Sequence, residues 1–450
     1  MKKLLLLYCM VFACSKFSYA QEGYYGENLN SNLYTASQVI GNSAPQSPDV
    51  AAFQKVNFVP VSNYTGRVSI GIPIYTISVG SMSVPISLSY NSSGVKVNDM
   101  ASNVGLNWSL NAGGMISKMT KGKDDFYAAD KSGTPANYTV PGGWLNNGGV
   151  SNSSYEVDAE PDVFVVNAPG LSTKYVFSNT GSIQGSTNNG LPRAAELERR
   201  GNVINVTGVL THTDGTGVRG FVNTDITSTS GVKYSFGSEE KSKTTSAYRP
   251  RYSIFSLPSY STSGYKLDKM SDLSTNQVIN FEYEEYTVNF YDEIQQKGGD
   301  YNGGTDILFN GNGTSQVTYP ELRRLTKIVF DKGSVEFIYG LNRLDNTDEK
   351  ALTEIKIKDT NGNIVKHIKL AYSYFQTTLI SSNSPQSKRL KLDRVYEVDT
   401  NSKELPGHTF TYDTAYHMAP RGSYAHDFLG YNNGSYVSSN TNPIPKYYLS

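Results

Sequence analysis

Charge is scarce in this sequence, and sulfur scarcer. Only 18% of the 450 residues are Asp, Glu, Lys or Arg, too few to coat the outer faces of long amphipathic helices. The two cysteines, Cys9 and Cys14, both fall within the first 14 residues. Around them lies the order of a secretory signal: Met1-Lys2-Lys3, the apolar run LLLLYCMVFAC, and Ser18-Tyr19-Ala20 at the expected cut. The run is too short to span a membrane, and no membrane span is expected. Cleavage after Ala20 makes Gln21 the first mature residue and leaves an exported chain with no disulfide, no thiol nucleophile and no Cys-ligated metal. It also removes Lys2, Lys3 and Lys16 from the 40 basic residues, leaving 37 against 40 acidic ones. A slightly acidic chain argues against a nucleic-acid partner. The rival reading lipidates Cys14, but Phe12 in Val-Phe-Ala is bulky for a lipobox. The expected location is secreted or cell-surface.

What is abundant points to strands. There are 41 glycines and 18 prolines, and 33 tyrosines against 18 phenylalanines, the composition of many short strands joined by tight turns. The length allows two or three domains or one extended repeat structure.

Residues 63–114 carry the clearest pattern. Val68, Ile70, Ile72 and Ile74 are apolar at every second position, as are Val84, Ile86, Leu88 and Tyr90. A period of two predicts strands that each bury one face, and the Ser-Val-Gly-Ser segment at 78–81 closes them into a hairpin. A third alternating piece holds Val95 and Val97, followed by Val104-Gly-Leu-Asn-Trp-Ser-Leu110. Trp108, one of two tryptophans, sits between Leu106 and Leu110, with Gly105 leaving room for close backbone approach. Leu88, Tyr90, Leu106, Trp108 and Leu110 are the expected structural core.

The same residues resemble a known family. The pattern P-I-S-L-S-Y-x-S-x-G at Pro85–Gly94, followed by G-L-x-W-S-L-x-x-G-G-x-I at Gly105–Ile116, resembles the opening of secreted RHS/YD-repeat proteins of the Bacteroidetes. More distantly it is similar to the N-terminal part of insecticidal toxin-complex B components. Asn107 stands where that family usually has a second glycine. E-P-D-x-F from Glu160 and K-Y-V-F from Lys174 are further landmarks of the resemblance.

Along the chain, residues 1–20 are the signal and 21–56 a polar leader with one short helix after Pro48. Residues 57–255 form an N-terminal antiparallel β domain. Within it, residues 132–154 are a Gly/Asn-rich loop, and two strands flank a Pro169-Gly170 turn. Residues 180–191 form another loop, Ala194–Arg200 a helical turn, and Gly231–Gly237 a strand.

From residue 256 to 418 a weak repeat appears. Leu267-Asp-Lys-Met, Leu325-Thr-Lys-Ile, Leu352-Thr-Glu-Ile and Leu392-Asp-Arg-Val each open a strand, answered by return strands ending at Tyr283, Tyr339, Tyr372 and Tyr412. Turns at 331–333 and 359–362 make each unit a hairpin, and a loop at 297–316 interrupts after the first. Hairpins cannot bury their apolar side alone and must extend or stack. The fold expected is therefore all-β, with YD-repeat-like hairpins in an extended or shell-like sheet. In the resembling family, segments like Ala419–Asp427 and Leu429–Gly434 precede further repeats and an effector. The tail 419–450 thus suggests a truncated product or an N-terminal module that works with other chains.

Catalytic patterns are weak. His212, His367, His408, His417 and His426 include no HExxH pair and adjoin no Gly-x-Ser-x-Gly elbow. His417 and His426 with Asp413 and Asp427 would suit a small metal or acid/base cluster, although exposed polar residues are the plainer reading. Asp158, Glu160 and Asp162, and Glu282, Glu284 and Glu285, offer the paired carboxylates a glycosidase uses, but they read as solvated strand faces. Asp300 and Asp306 lack EF-hand spacing. No catalytic, cofactor or metal residue is expected, and no cofactor. The function expected is a non-catalytic structural module, a shell wall or plug of a toxin-like assembly. Its partner would be a further RHS/YD-repeat sheet or another protein joined by strand addition. The alternative is a cell-surface module binding glycan or protein through its tyrosines, and a secreted hydrolase is the remote third.

Overall fold

The computed structural model describes residues 68–121, 161–178, 193–211, 218–246, 259–294, 313–414, 418–423, 425–427 and 429–432. The chain divides into two units, residues 1–59 and 60–450, and everything described belongs to the second. The expected signal, the leader and the loop at 132–154 lie outside the described residues.

The first hairpin joins β1 (Ser69–Val79) to β2 (Met82–Asn91). Its turn is the two residues Gly80-Ser81, with Gly80 at φ +57° as such a tight connection requires. The alternation of β1 changes phase, because Ile72 and Ile74 are buried and so are Ile77 and Val79. A bulge between Pro73 and Tyr75 absorbs the extra residue and keeps both sets on the core side. The Ile74 carbonyl there accepts the Lys366 ammonium at 3.0 Å. With β3 (Trp108–Asn111) pairing β2, this makes a three-stranded sheet.

Apart from one two-stranded pair, the remaining strands form a second sheet, of fifteen. It begins with β4 (Met115–Met119), β5 (Val163–Ala168), β6 (Leu171–Ser178), β7 (Arg193–Glu196), β8 (Val203–Thr211), β9 (Val218–Thr227) and β10 (Val232–Ser246). β11 (Ser259–Asp272), β12 (Val278–Ile294), β13 (Gly313–Phe330) and β14 (Gly333–Ile338) follow. After the small pair β15 (Leu341–Asn342) and β16 (Lys350–Ala351) come β17 (Glu354–Lys358), β18 (Ile364–Gln376), β19 (Lys388–Val398) and β20 (Glu404–Thr409). The main path runs β20-β19-β18-β17-β14-β13-β10-β11-β4-β5-β6-β7. β12 bridges β11 and β13, and strands from either side of residue 256 meet in the β10–β11 pairing. All of these strand pairs are antiparallel, so the fold is all-β.

Burial alternates strictly where the sequence does, as in β14 and β17. Ile116, Phe164, Phe236, Leu267, Ile328, Ile355 and Leu392 from this sheet share one core with Ile77, Val84 and Leu88 of the small one. Burying each such side chain contributes about 1.5–3 kcal/mol.

Two local expectations are corrected. Ala194–Arg200 is not a helical turn: Arg193–Glu196 is strand β7, paired with β6, and a turn follows. Seven residues are too few to nucleate a helix alone, whereas sheet pairing and Glu196 supply partners at once. The Glu196 carboxylate accepts Thr173 Oγ1 at 2.6 Å and the Gly201 amide at 3.1 Å. The loop expected over 297–316 gives way to β13 from Gly313 onward.

Candidate functional site

The four hairpins of the repeat end in the same way. The Tyr283 hydroxyl donates to the Leu267 carbonyl at 2.7 Å, and Tyr339 to Leu325 at 3.1 Å. Tyr372 donates to Leu352 at 2.6 Å, and Tyr412 to Leu392 at 2.8 Å. Each leucine stands just beyond the last residue at which its strand pairs with the return strand. Pairing between β13 and β14 begins at Lys327, and that between β19 and β20, extended by Phe410 N to Asp393 O, stops at Asp393. A carbonyl released from a ladder beside a core must find another donor. The tyrosine supplies it, and its ring closes the open end of the hairpin.

Burial holds all four hydroxyls in the neutral, donating form. It raises Tyr283, Tyr339 and Tyr372 well above the usual tyrosine value, and Tyr412 to about 12.

The segment 102–114, which carries the G-L-x-W-S-L motif, lies across these hairpin ends. The Gly114 carbonyl accepts the Leu267 amide at 2.9 Å, the Asn103 carbonyl accepts the Leu352 amide at 2.9 Å, and the Leu106 amide donates to Leu390 at 2.9 Å. Gly105, at φ +113°, passes so close to the last unit that a Cβ there would lie 3.1 Å from the Leu392 nitrogen. Trp108 completes the contact by donating from Nε1 to the Tyr412 hydroxyl at 2.9 Å. Its ring packs on Tyr90 at 5.2 Å and Phe410 at 4.7 Å. Of the expected core residues, Leu88 and Trp108 are buried in the main core and Leu106 in a smaller one with Ala101, Ala351 and Leu390, while Tyr90 and Leu110 are partly buried against the main core.

Beside this junction the tail crosses residues 93–100. The Val97 amide donates to Gly430 at 2.9 Å, Gly422 N donates to Asn98 Oδ1 at 2.8 Å, and Tyr431 donates to the Ser93 carbonyl at 3.3 Å. Val97, Ala419 and Ala425 close a small core of their own. Residues more than 300 positions apart in the chain thus meet here. A cavity of about 180 Å³ lies alongside, lined by Tyr90, Leu106, Asn107, Phe375, Tyr412 and Met418, among others. Asn107 lines it at φ +62°, a left-handed conformation that asparagine tolerates better than most residues.

The residues weighed for catalysis do not converge. His367 pairs with Glu354 at 3.0 Å across neighbouring strands, His408 is exposed on β20, and His426 Nδ1 lies 2.9 Å from the Asp427 carbonyl. His212, His417, Asp158, Glu160, Asp300 and Asp306 lie outside the described residues. Glu285 pairs with Arg323 at 2.6 Å and Glu284 lies 3.7 Å from Arg324, both across β12 and β13. Asp162 departs from the solvated face expected of it. It is fully buried, accepts the Lys121 amide at 2.9 Å and lies 3.9 Å from the Lys118 ammonium. Lys118 on β4, the strand β5 pairs with, and the Lys121 amide just past it supply partners to the buried carboxylate. Among the described residues, no three His, Cys, Asp or Glu side chains group as a metal site.

Sequence reading found the leucines and tyrosines of the repeat but not their hydrogen bonds. It missed Arg343, Asp345, Arg389 and Arg421, which are buried or half-buried near the tail junction; nothing in the sequence separates them from the other charges around them, such as Lys388 and Lys391 beside Arg389.

No family model matches this chain, and no curated protein matches it. Among solved structures it is similar to the crystal structure of TcdB2-TccC3, with TM-score 0.40, 12% identity, and coverage of 79% of this chain and 16% of that one. It is similar also to TcdB2-TccC3-Cdc42, with TM-score 0.36, 12% identity, and coverage of 77% and 16%. The chain therefore spans about a sixth of the length of these structures' chains.

Proposed function

We propose that this chain is a non-catalytic structural module, exported by its signal at residues 1–20, that forms a piece of sheet wall in an RHS/YD-repeat assembly of the toxin-like kind. One observation carries the reading. The Leu–Tyr closure recurs four times in one sheet, and the strand at the rim, β20, pairs only with β19 among the described residues. A repeat that closes each hairpin identically is built for extension, since every unit presents the next with the same edge. All six residues of β20 are exposed, and such a row of backbone groups is a template for strand addition. Pro406 within it is tolerated at an edge and limits which amides are offered.

The partner is a further hairpin of the same kind, whether on a longer chain or a separate one. Segment 102–114 starts the wall by bracing the hairpin ends. The test is light scattering on residues 21–450 together with hydrogen exchange of residues 404–412. Association through β20, or rapid exchange of its amides in a monomer, is expected. A monodisperse monomer with β20 as protected as β2 overturns the reading in favour of a self-contained module.

A further inference from the structure

The four hairpins share a second cross-strand contact. In each, the residue three past the opening leucine stands directly opposite the residue four before the closing tyrosine: Met270 opposite Ile279, Ile328 opposite Val335, Ile355 opposite Ile368, and Val395 opposite His408. The first seven of these eight side chains are apolar and buried. The eighth is an exposed histidine. Residues directly opposite in a ladder share a face of the sheet. His408 therefore takes a core-side position and ends the apolar row that runs through Leu370 and Val395.

Nothing at the rim answers this imidazole, which has no hydrogen-bond partner among the described residues. Glu404, the one carboxylate of β20, is held instead by both Nη atoms of Arg394 at 3.2 Å. His367 shows how the sheet treats an imidazole on a strand flanked from both sides. It lies on β18, between β17 and β19, and its Nε2 pairs with Glu354 of β17 at 3.0 Å.

A strand added to β20 would cover His408, and the register between successive units tells which of its residues does so. The residue four before the tyrosine of one unit faces the residue five past the leucine of the next, as Val335 faces Ile357 and Ile368 faces Glu397. An aliphatic side chain at that position would cover the imidazole and leave it unpaired, which is costly. A carboxylate there accepts a hydrogen bond from it. Glu397 demonstrates the reach, because its carboxylate lies 3.7 Å from the Lys366 ammonium on the preceding return strand. Resting on the reading of β20 as an open rim, we propose that His408 selects the partner: the strand that joins β20 carries an acidic side chain five residues past its opening leucine.

The experiment is fluorescence anisotropy of labelled strand peptides titrated with the full chain. One peptide has the sequence of residues 388–399, and the second is the same peptide with Glu397→Ile. The glutamate peptide should bind about fivefold tighter. In the protein, His408→Ile restores the residue type of the other units, and it should turn the preference toward the isoleucine peptide. Binding of neither peptide overturns the open rim and the selection together. Equal binding of the two, or a preference that His408→Ile leaves unchanged, overturns selection by His408 while the open rim stands.

Discussion

The first and last repeat units make the same contact in different surroundings. In the first, Leu267 lies on β11, which pairs with β10 on one side and with β4 and β12 on the other, so neighbouring strands support the Tyr283 closure. In the last, Leu392 is equally buried, but its return strand is the exposed β20. There the Tyr412 hydroxyl both donates to Leu392 and accepts from Trp108. A hairpin inside the sheet is held by the sheet. A hairpin at the rim is held by a segment some 300 residues earlier in the chain.

Removing that support should have the largest effect. Trp108→Ala is expected to cost about 3–5 kcal/mol, from lost burial and the cavity left among Tyr90, Phe410 and Tyr412. In hydrogen exchange, β20 and residues 410–412 should open first while β11 and β12 keep their protection. Denaturation like the parent's, or a uniform rise in exchange, would erase the distinction between rim and interior.

Gly105→Ala tests the same support through the backbone. A Cβ at φ +113° and 3.1 Å from the Leu392 nitrogen forces either strain or separation, for an expected loss of about 1–3 kcal/mol. Urea denaturation measures it, and a neutral result would show that the close approach is dispensable.

Smaller still are the hydroxyls, and their order is informative. Tyr412→Phe strands two groups, the Leu392 carbonyl and the buried Trp108 N–H, and should cost about 1–3 kcal/mol. Tyr283→Phe strands only the Leu267 carbonyl and should cost about 1 kcal/mol. If Tyr283→Phe proves the costlier in matched urea titrations, the link from Trp108 is not what supports the rim.

The fold class was legible because alternation is a local signal. Ile72, Val84, Ile86 and Leu88 announce their buried face wherever the partner strand comes from. The repeat was legible too, as leucine and tyrosine at matching ends of four hairpins. What joins them was not. The Tyr hydroxyl bonds depend on where each ladder stops, which bulges and neighbouring strands decide. β7 shows the limit in the other direction, since Ala194 and Ala195 favour helix locally and are overruled by the edge of β6. The arginine cluster is a purely tertiary object: Arg343, Arg389 and Arg421 lie in separate segments, none with a pattern of its own.

The finest contrast between the two units is in acid. The tip of the first hairpin, Gly80-Ser81, is hooked to the end of β11 by Asp272, within the first repeat unit. The Asp272 carboxylate accepts Ser274 Oγ at 2.6 Å and its amide at 2.9 Å, and Ser81 Oγ at 2.7 Å and its amide at 3.2 Å. These bonds, those of Ser274 first and then those of Ser81, hold the carboxyl well below the usual aspartate value. A depressed carboxyl contributes stability that is complete above its unfolded value of about 3.9 and is lost as pH falls from there through the folded value. The three groups bonded at the rim junction, the Trp108 N–H, the Tyr412 hydroxyl and the Leu392 carbonyl, do not themselves titrate in acid, since burial raises Tyr412. In Asp272→Asn, the stability deficit relative to the parent should therefore be constant above about pH 5 and shrink below about pH 4. In Tyr412→Phe it should not change over that range. Urea midpoints measured for both variants down to about pH 2.5 decide it. An Asp272→Asn deficit independent of pH would mean that the ionised carboxylate is not the hook, and that acid sensitivity does not separate the two ends of the wall.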